Sequence, residues 1–489
     1  MASTTPYDEI PYRTVAAPTT HPDRMATIAL LHGMAPAPVE RCRVLEIGCG
    51  DGNNLIPIAF RFPGATVVGF DLAGQPIAAG NEFAAPLGLR NLTLVQKDLM
   101  EVTPEFGQFD YIICHGLYAW VPPPVQDRLL AVCRQNLAPQ GVAAVSYNTQ
   151  PEAHVRMMMR EMILWLSRST AGSQQREERA RTFLGFLSRT RSGVGDYGGL
   201  VAKAAARLSG LSRDALLHDD LCEEYHPAWF HEFADHSARH GLQYLGDAEF
   251  VRLDDDLLTP EERQALREVP GDPEIVKEQY LDFVKGRGFR HTLLCRREDP
   301  VQRPPSLAAA DRLFATTRAR PVPVAPGAGS GALMEFRTSE GISMKTEHPA
   351  MKRLFASLGE AWPHSVRLPD LPSQGMTPDQ RSEVLLGLLK AGLIDMSTLP
   401  PGFVRQAGPR PSVSALARYQ IQRGDMVTNL HHRHVKMEGE LTKAVVRLLD
   451  GTRDRAALLR DLAPIDPALT AEALEDGLRS LAGLAVLTA

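Results

Sequence analysis

One run constrains this chain more than any other: Val44-Leu45-Glu46-Ile47-Gly48-Cys49-Gly50-Asp51-Gly52. Apolar residues lead into a cluster of glycines, and a helical pattern resumes near Asn53, so the segment reads as strand, tight turn, helix. Glycine permits positive φ and close backbone approach to a ligand. The following helix presents unpaired N–H groups at its start. The spacing is Glu46-x-Gly48-x-Gly50-x-Gly52, whereas a dinucleotide fold expects G-x-G-x-x-G. The third glycine of that pattern would fall on Asn53, and Gly52 comes one residue early. The spacing therefore argues against a nicotinamide dinucleotide.

Strand-like runs at 42–48, 66–72, 92–98, 109–116 and 141–148 alternate with helical stretches at 53–61, 75–87 and 124–137. That order predicts a parallel sheet with right-handed crossovers. A helix is expected over 23–34, before the first strand. The alternation stops at 151, where EAHVRMMMREMILWLSRS (152–169) and a charged stretch after it predict a helical insertion. It resumes with a helix over 226–240, a strand over 242–251, a helical stretch over 259–285 and a final strand over 289–297. The expected fold is α/β: a doubly wound, seven-stranded Rossmann-like sheet built from 1–150 and 222–298 and interrupted by a helical domain at 151–221. The Met-rich helix of that insertion, with few other apolar elements beside it, suggests subunit contact and a homodimer.

Residues 299–331 carry a Pro/Gly-rich tract and read as a linker. Beyond it, 347–371 and 438–462 align without gaps at an offset of 91, pairing Lys352 with Lys443, Leu358 with Leu449, Leu368 with Leu459 and Asp370 with Asp461. Each unit reads as helix, turn, helix and a third helix ending in a short strand, which predicts winged-helix-like modules at 332–400 and 410–489. Residues 331–489 hold 19 Lys/Arg against 18 Asp/Glu. A near-neutral surface does not serve phosphate neutralisation, so a protein-contact or structural role is expected and nucleic acid is not. The net charge of −5 agrees.

No apolar run approaches the roughly 20 residues that span a bilayer, and MASTTPYDEIPYRT lacks the regions of a signal peptide, so a cytoplasmic protein without membrane insertion is expected. The six cysteines form no C-x-x-C pair and read as buried thiols. His431-His432-Arg433-His434 reads as a solvated polar segment, and no metal site is expected.

Asp71 ends the second strand about 20 residues after the glycines, where a carboxylate accepts from both ribose hydroxyls. Asp98 follows the third strand, placed for an adenine amino group, with Leu99 as an apolar edge. Three strand-end elements in this order point to a nucleoside-containing ligand. Glu46–Gly52, Asp71 and Asp98 resemble the first three motifs of class I S-adenosylmethionine-dependent methyltransferases. YDEIPY (7–12), THPDR (20–24), FDYIICHGLYAWVP (109–122), VSYNT (145–149), FHEFADHSARHGLQYL (230–245) and FRHTLLCRR (289–297) resemble bacterial members that carry a methyltransferase regulatory domain. The resemblance implies S-adenosyl-L-methionine as cofactor, held by Glu46, Gly48, Cys49, Gly50, Gly52, Asn54, Asp71, Leu72, Asp98, Leu99 and His115. It also implies a protein or peptide substrate, since characterised members methylate lysines of outer-membrane proteins. After Ser146-Tyr147-Asn148-Thr149 the family continues with an aromatic residue and Pro-Gly-Trp, whereas this chain has Gln150-Pro151-Glu152-Ala153, a more polar stretch.

A sulfonium carries its own leaving group, so alignment of nucleophile, methyl carbon and sulfur is the protein's main task. Candidate catalytic residues are His115, Tyr118 and Trp120 after the fourth strand, and Tyr147 and Asn148 at the end of the fifth. Tyr7 and Tyr12 are candidates for a lid. The leading expectation is a protein-lysine N-methyltransferase. Alternatives are a small-molecule or peptide-tailoring N- or O-methyltransferase, with His115 as general base, and a non-catalytic S-adenosylmethionine-binding regulator.

Overall fold

The computed structural model describes residues 12, 14–170, 172–190, 195–249, 258–322, 333–338, 341–362, 364–373, 375–400, 402–404 and 406–488. Helix α1 (Pro22–Leu31) precedes β1 (Arg43–Ile47), α2 (Leu55–Arg61), β2 (Thr66–Asp71), α3 (Gly74–Ala84), β3 (Leu92–Gln96), β4 (Phe109–Cys114), α4 (Pro123–Asn136) and β5 (Leu137–Asn148). Three helices follow, α5 (Ala153–Ser167), α6 (Ser173–Thr190) and α7 (Gly195–Ser209). Then come α8 (Phe230–Arg239), β6 (Leu242–Asp247), α9 (Pro260–Arg267), α10 (Pro273–Lys285) and β7 (Phe289–Arg296). Strands β1–β7 form one sheet in the order β3-β2-β1-β4-β5-β7-β6. β1 to β5 pair in parallel, and β7 runs antiparallel between β5 and β6.

Side chains alternate across a strand, and the two sheet faces build two cores. Val44, Val67, Tyr111, Val142 and Leu293 pack with α1 and α2 on one face. Leu45, Ile47, Ile112, Val145 and Leu294 pack with α4 and Phe233 of α8 on the other. Sheet order reverses at β1, since the chain runs from β1 outward to β3 and then returns to β4 on the opposite side. Such a switch point opens a crevice at the strands' C-terminal ends. Helices α5, α6 and α7 enclose a small core of their own, including Met159, Ile163, Leu184 and Val201.

The expected linker is partly structural. It contributes β8 (Phe314–Thr316) and β9 (Arg320–Val322), and Leu313, Ala315 and Ala319 are buried in the core beneath α1. Pro321 stands in β9, at the edge of its sheet, where a missing N–H is tolerated. This is why its proline content resembled a linker; residues 323–332 lie outside those described. The first C-terminal unit then comprises β10 (Met334–Arg337), β11 (Ser343–Thr346), α11 (Pro349–Ala361), β12 (Val366–Arg367), α12 (Pro378–Lys390) and β13 (Asp395–Ser397). Its expected middle helix is reduced to β12 and a single turn, Leu368–Asp370, which contains Pro369 and is soon followed by Pro372. The second unit has α13 (Ala415–Ile421), β14 (Met426–Thr428), β15 (His434–Lys436), α14 (Glu440–Leu448), α15 (Arg455–Leu462) and α16 (Ala471–Gly483). Both leucines of the repeat pair Leu358/Leu449 are fully buried. No helix among the described residues is long and apolar enough to cross a membrane.

An ion cluster invisible in the sequence pattern locks β7 to its neighbours. The fully buried Arg290 meets Asp282 through two bonds of 2.8 Å, Glu278 at 3.0 Å and Asp247 at 3.4 Å. Its guanidinium also lies 3.9 Å from the centre of the Phe230 ring. Removing one partner of such a group leaves uncompensated buried charge, at a cost of about 3–5 kcal/mol. Arg290→Met is therefore expected to lower the urea midpoint sharply, by a stability loss in that range, in equilibrium unfolding followed by circular dichroism.

Candidate active site

Five strand ends line the crevice in sheet order: Asp98 after β3, Asp71 ending β2, Gly48 after β1, His115 after β4 and Asn148 ending β5. The turn after β1 is fastened to β2, with the N–H groups of Gly48 and Cys49 donating to the Phe70 carbonyl at 2.9 and 3.1 Å. Gly48, Gly50 and Gly52 have φ of +72°, +55° and +73°, values that side chains rarely adopt. Asp71 joins this turn to the start of α3. Its Oδ2 accepts from Gly50 N at 2.8 Å and its Oδ1 from Ala73 N at 2.9 Å. Leu72 beside it is exposed at the rim. Asp98 caps a short turn by accepting from Met100 N at 2.9 Å, and Leu99 is buried. The Cys49 side chain is buried in the core and faces Gly69 of β2.

Glu46 is 4% exposed. Its Oε1 accepts from Asn54 Nδ2 at 2.9 Å, while Oε2 is buried with no hydrogen-bond partner among the described residues. Burial, opposed by the Asn54 bond and reinforced by Asp51 and Asp71, pushes its pKa up to about 8. A buried carboxylate oxygen without a donor suits a ligand carrying a cationic N–H group. The same residues thus fit a nucleoside bearing an amino-acid arm: carboxylates along the strand ends, a glycine turn for close approach, and an acid at its base.

The acceptor side departs from expectation in several places. Tyr147 is buried in the core, its hydroxyl 3.0 Å from Thr292 Oγ1 and its ring stacked 4.1 Å from Phe233. Tyr118 is also buried, edge-on to Phe233, with its hydroxyl 2.9 Å from His236 Nδ1. Both follow from strand and turn geometry that aims these rings beneath the sheet, not into the crevice. Trp120 packs at a tilt against Tyr225, ring centres 4.7 Å apart, and its ring is approached by the guanidinium groups of Arg156 and Arg160 at 5.1 and 5.6 Å. Cations of the chain itself therefore lie over the Trp120 ring. Asn148 is buried at the end of β5, with Oδ1 lacking a partner among the described residues. His115 Nδ1 lies 2.9 Å from Ser146 Oγ, and its ring stacks on His291 at 5.4 Å. Burial and His291 bring its pKa down to about 4, so the imidazole is neutral at pH 7 and a weak general base. Tyr12 packs edge-on against His218; Tyr7 lies outside the described residues.

Sequence reasoning missed four contributors. A Cβ on Gly80 would stand 2.2 Å from the Asp51 carbonyl, and one on Gly69 2.8 Å from Cys49 Sγ. These two glycines let α3 and β2 close on the turn. A glycine inside a helical pattern, which costs about 1 kcal/mol against alanine, was the available signal for Gly80. Thr14 Oγ1 donates to Asp51, and Ala17 N donates to Asn54 Oδ1 at 3.0 Å, so the segment before α1 crosses the turn. The histidine run is a correction: His432 is buried, not solvated, with Nε2 2.8 Å from Asn54 Oδ1. Among the described residues there is one group of metal-ligand type, Asp127, His236 and His240. Both imidazole Nε2 atoms already meet Asp127 Oδ1, at 3.2 and 2.8 Å, which satisfies the group through hydrogen bonds.

Comparison with known proteins agrees with this geometry. Family models described as methyltransferase domain, predicted methyltransferase regulatory domain and PKMT C-terminal winged helix domain match residues 44–141, 212–296 and 409–464. Uncharacterized protein RP789 of Rickettsia prowazekii is 29% identical over 94% of this chain and 86% of its own length. Uncharacterized protein RP028 of the same organism is 31% identical over 49% of this chain and 96% of its own. The structure of PKMT2 from Rickettsia typhi in complex with AdoHcy superposes with a TM-score of 0.84 at 25% identity, covering 98% of this chain and all of that one. AdoHcy is what S-adenosylmethionine becomes once its methyl group has left, which accords with an acid and glycine turn shaped for a nucleoside with an amino-acid arm. The chain therefore belongs to the family of S-adenosylmethionine-dependent methyltransferases that join a methyltransferase regulatory domain to a PKMT winged helix.

Proposed function

We propose that the enzyme transfers methyl groups to lysine side chains of a protein substrate. The observation that carries this reading is similarity over nearly the full chain, C-terminal units included, to PKMT2, whose abbreviation denotes a protein lysine methyltransferase. The site chemistry supports it. His115 is neutral and weakly basic, which disfavours abstraction of a hydroxyl proton and leaves an amine that arrives already deprotonated as the better nucleophile. The buried Asn148 Oδ1 stands at the crevice edge as an acceptor for an amine N–H.

In this reading S-adenosylmethionine supplies an electrophilic methyl carbon on a sulfonium, and the amine nitrogen forms the new bond as the sulfur–carbon bond breaks. Glu46 Oε2 holds the amino group of the cofactor's amino-acid arm. The glycine turn of Gly48, Gly50 and Gly52, with Cys49 and Asn54, carries that arm. A carboxylate offers about four acceptor sites, so Asp71 secures the turn and accepts from the ribose hydroxyls together, with Leu72 beside them. Asp98 and Leu99 frame the adenine. The N-terminal segment from Thr14 to Thr20 covers the turn. Helices α5–α7 mediate self-association, supported by Trp165, Phe186 and Tyr197, which are 60%, 54% and 55% exposed. A cytoplasmic site of action belongs to the same reading.

Incubation with methyl-labelled S-adenosylmethionine and a cell-envelope extract should label a protein band, with alkali-stable label recovered as methyl-lysine. Label confined to small molecules, or released by mild alkali, would refute the lysine assignment. Asp71→Ala should weaken AdoHcy binding at least tenfold in calorimetry, on the scale of one charge-assisted hydrogen bond. Trp165→Glu with Phe186→Glu should shift the protein to monomer in sedimentation velocity, with its circular dichroism unchanged.

A further inference from the structure

The turn between β14 and β15 of the second C-terminal unit reaches into the methyltransferase sheet domain. Asn429 organises it, its Oδ1 accepting from His431 N at 3.0 Å and Arg433 N at 2.9 Å, and its Nδ2 donating to the Leu484 carbonyl at 3.0 Å. Leu430 N is bonded to the Ala485 carbonyl at 2.9 Å, so the turn is braced on the end of α16. Arg61 of α2 donates to the Leu430 carbonyl at 2.6 Å. His432 at the tip has φ +56°, a left-handed conformation uncommon outside glycine. Such strain persists where the surroundings fix it, and here it delivers a buried imidazole to Asn54.

Asn54 then has every hydrogen-bonding position in use. Its Nδ2 donates to Glu46 Oε1 at 2.9 Å and Thr20 Oγ1 at 3.0 Å. Its Oδ1 accepts from Ala17 N at 3.0 Å and meets His432 Nε2 at 2.8 Å. Since both amide hydrogens are spent, Oδ1 must face His432, and Nε2 of that ring must carry the proton. The His432 ring also packs 4.9 Å from His21, which caps α1. Nearby, Asp51, Asn53 and Gly80 of the cofactor side face Gln420, Arg423 and His434 of the C-terminal unit across a cavity of about 250 Å³. The two units thus share a continuous boundary at the back of the glycine turn.

We propose that His432 is a positioning residue for the cofactor: it fixes the Asn54 amide, which in turn aims Glu46, so the second C-terminal unit completes the cofactor site from behind. This rests on the assignment of Glu46 to the cofactor's amino group. The consequence is that displacement of the unit, by a substrate or partner docking on it, changes cofactor affinity.

Calorimetric titration of the full-length protein with AdoHcy tests it. His432→Ala and His432→Met, which fills the space without a donor, should each weaken binding about tenfold, the scale of one buried hydrogen bond. His432→Gln, whose amide N–H reaches Asn54 Oδ1, should recover most of that loss. Arg423→Ala, at the same boundary but outside the network, should stay within about twofold of the parent. Should His432→Ala fail to fold, the Gln and Met variants decide alone, and equal affinity in those two overturns the proposal. Glu46→Gln separates the two readings. If it binds AdoHcy as the parent does, the Glu46 assignment is wrong. If it binds weakly while His432→Met binds normally, only the role of His432 is wrong.

Discussion

Glu46 lies almost wholly inside the protein, with one carboxylate oxygen held by Asn54 and the other without a donor among the described residues. Such a group is costly to bury, and its raised pKa records that cost. Much of the surrounding structure serves to hold it there. β1 carries it to the switch point of the sheet, three glycines turn the chain after it, and Asn54, just ahead of the next helix, orients it. Asn54 is itself fixed by the segment before α1 and by a histidine some 380 residues away in sequence.

The layers outward from that bond are arranged to keep it still. Phe70 and Asp71 of β2 bind the glycine turn on one side, and α3 closes on it through Gly80. On the far side of the sheet, β7 is pinned by Arg290 among three acids, which anchors the end of the domain that follows the helical insertion. The cofactor side of the crevice is therefore fastened to β2 and closely packed by α3. Two of the aromatic candidates for the acceptor side, Tyr118 and Tyr147, are packed in the core against Phe233.

Much of the cofactor half was legible because it depends on local order: strand, glycine spacing, helix, then acids at successive strand ends. The seven strands and the insertion between β5 and β6 were legible from the same alternation. What the sequence concealed depends on contacts distant along the chain. Tyr118 and Tyr147 resemble pocket residues by position, yet the alternation of β5 and the turn before α4 bury both rings against Phe233. His432 reads as a polar residue in a charged run, and only the packing of the second C-terminal unit on α2 reveals its partner. The β8 segment resembled a linker because proline and glycine dominate its flanks, although Leu313, Ala315 and Ala319 join the main core.

If Glu46 is the acid that receives the cofactor's amino group, binding must change its protonation, and the count of protons exchanged reads this out. In the free protein the pKa near 8 keeps Glu46 mostly protonated at pH 7; a bound ammonium favours the ionised form and lowers that pKa. Binding must then release a proton, and affinity must rise with pH from 6 toward 8. Titration of AdoHcy at pH 7 in buffers of differing ionisation enthalpy should show release of close to one proton per site, and Glu46→Gln should abolish it. No release from the parent protein, or the same release from Glu46→Gln, would contradict that role for Glu46.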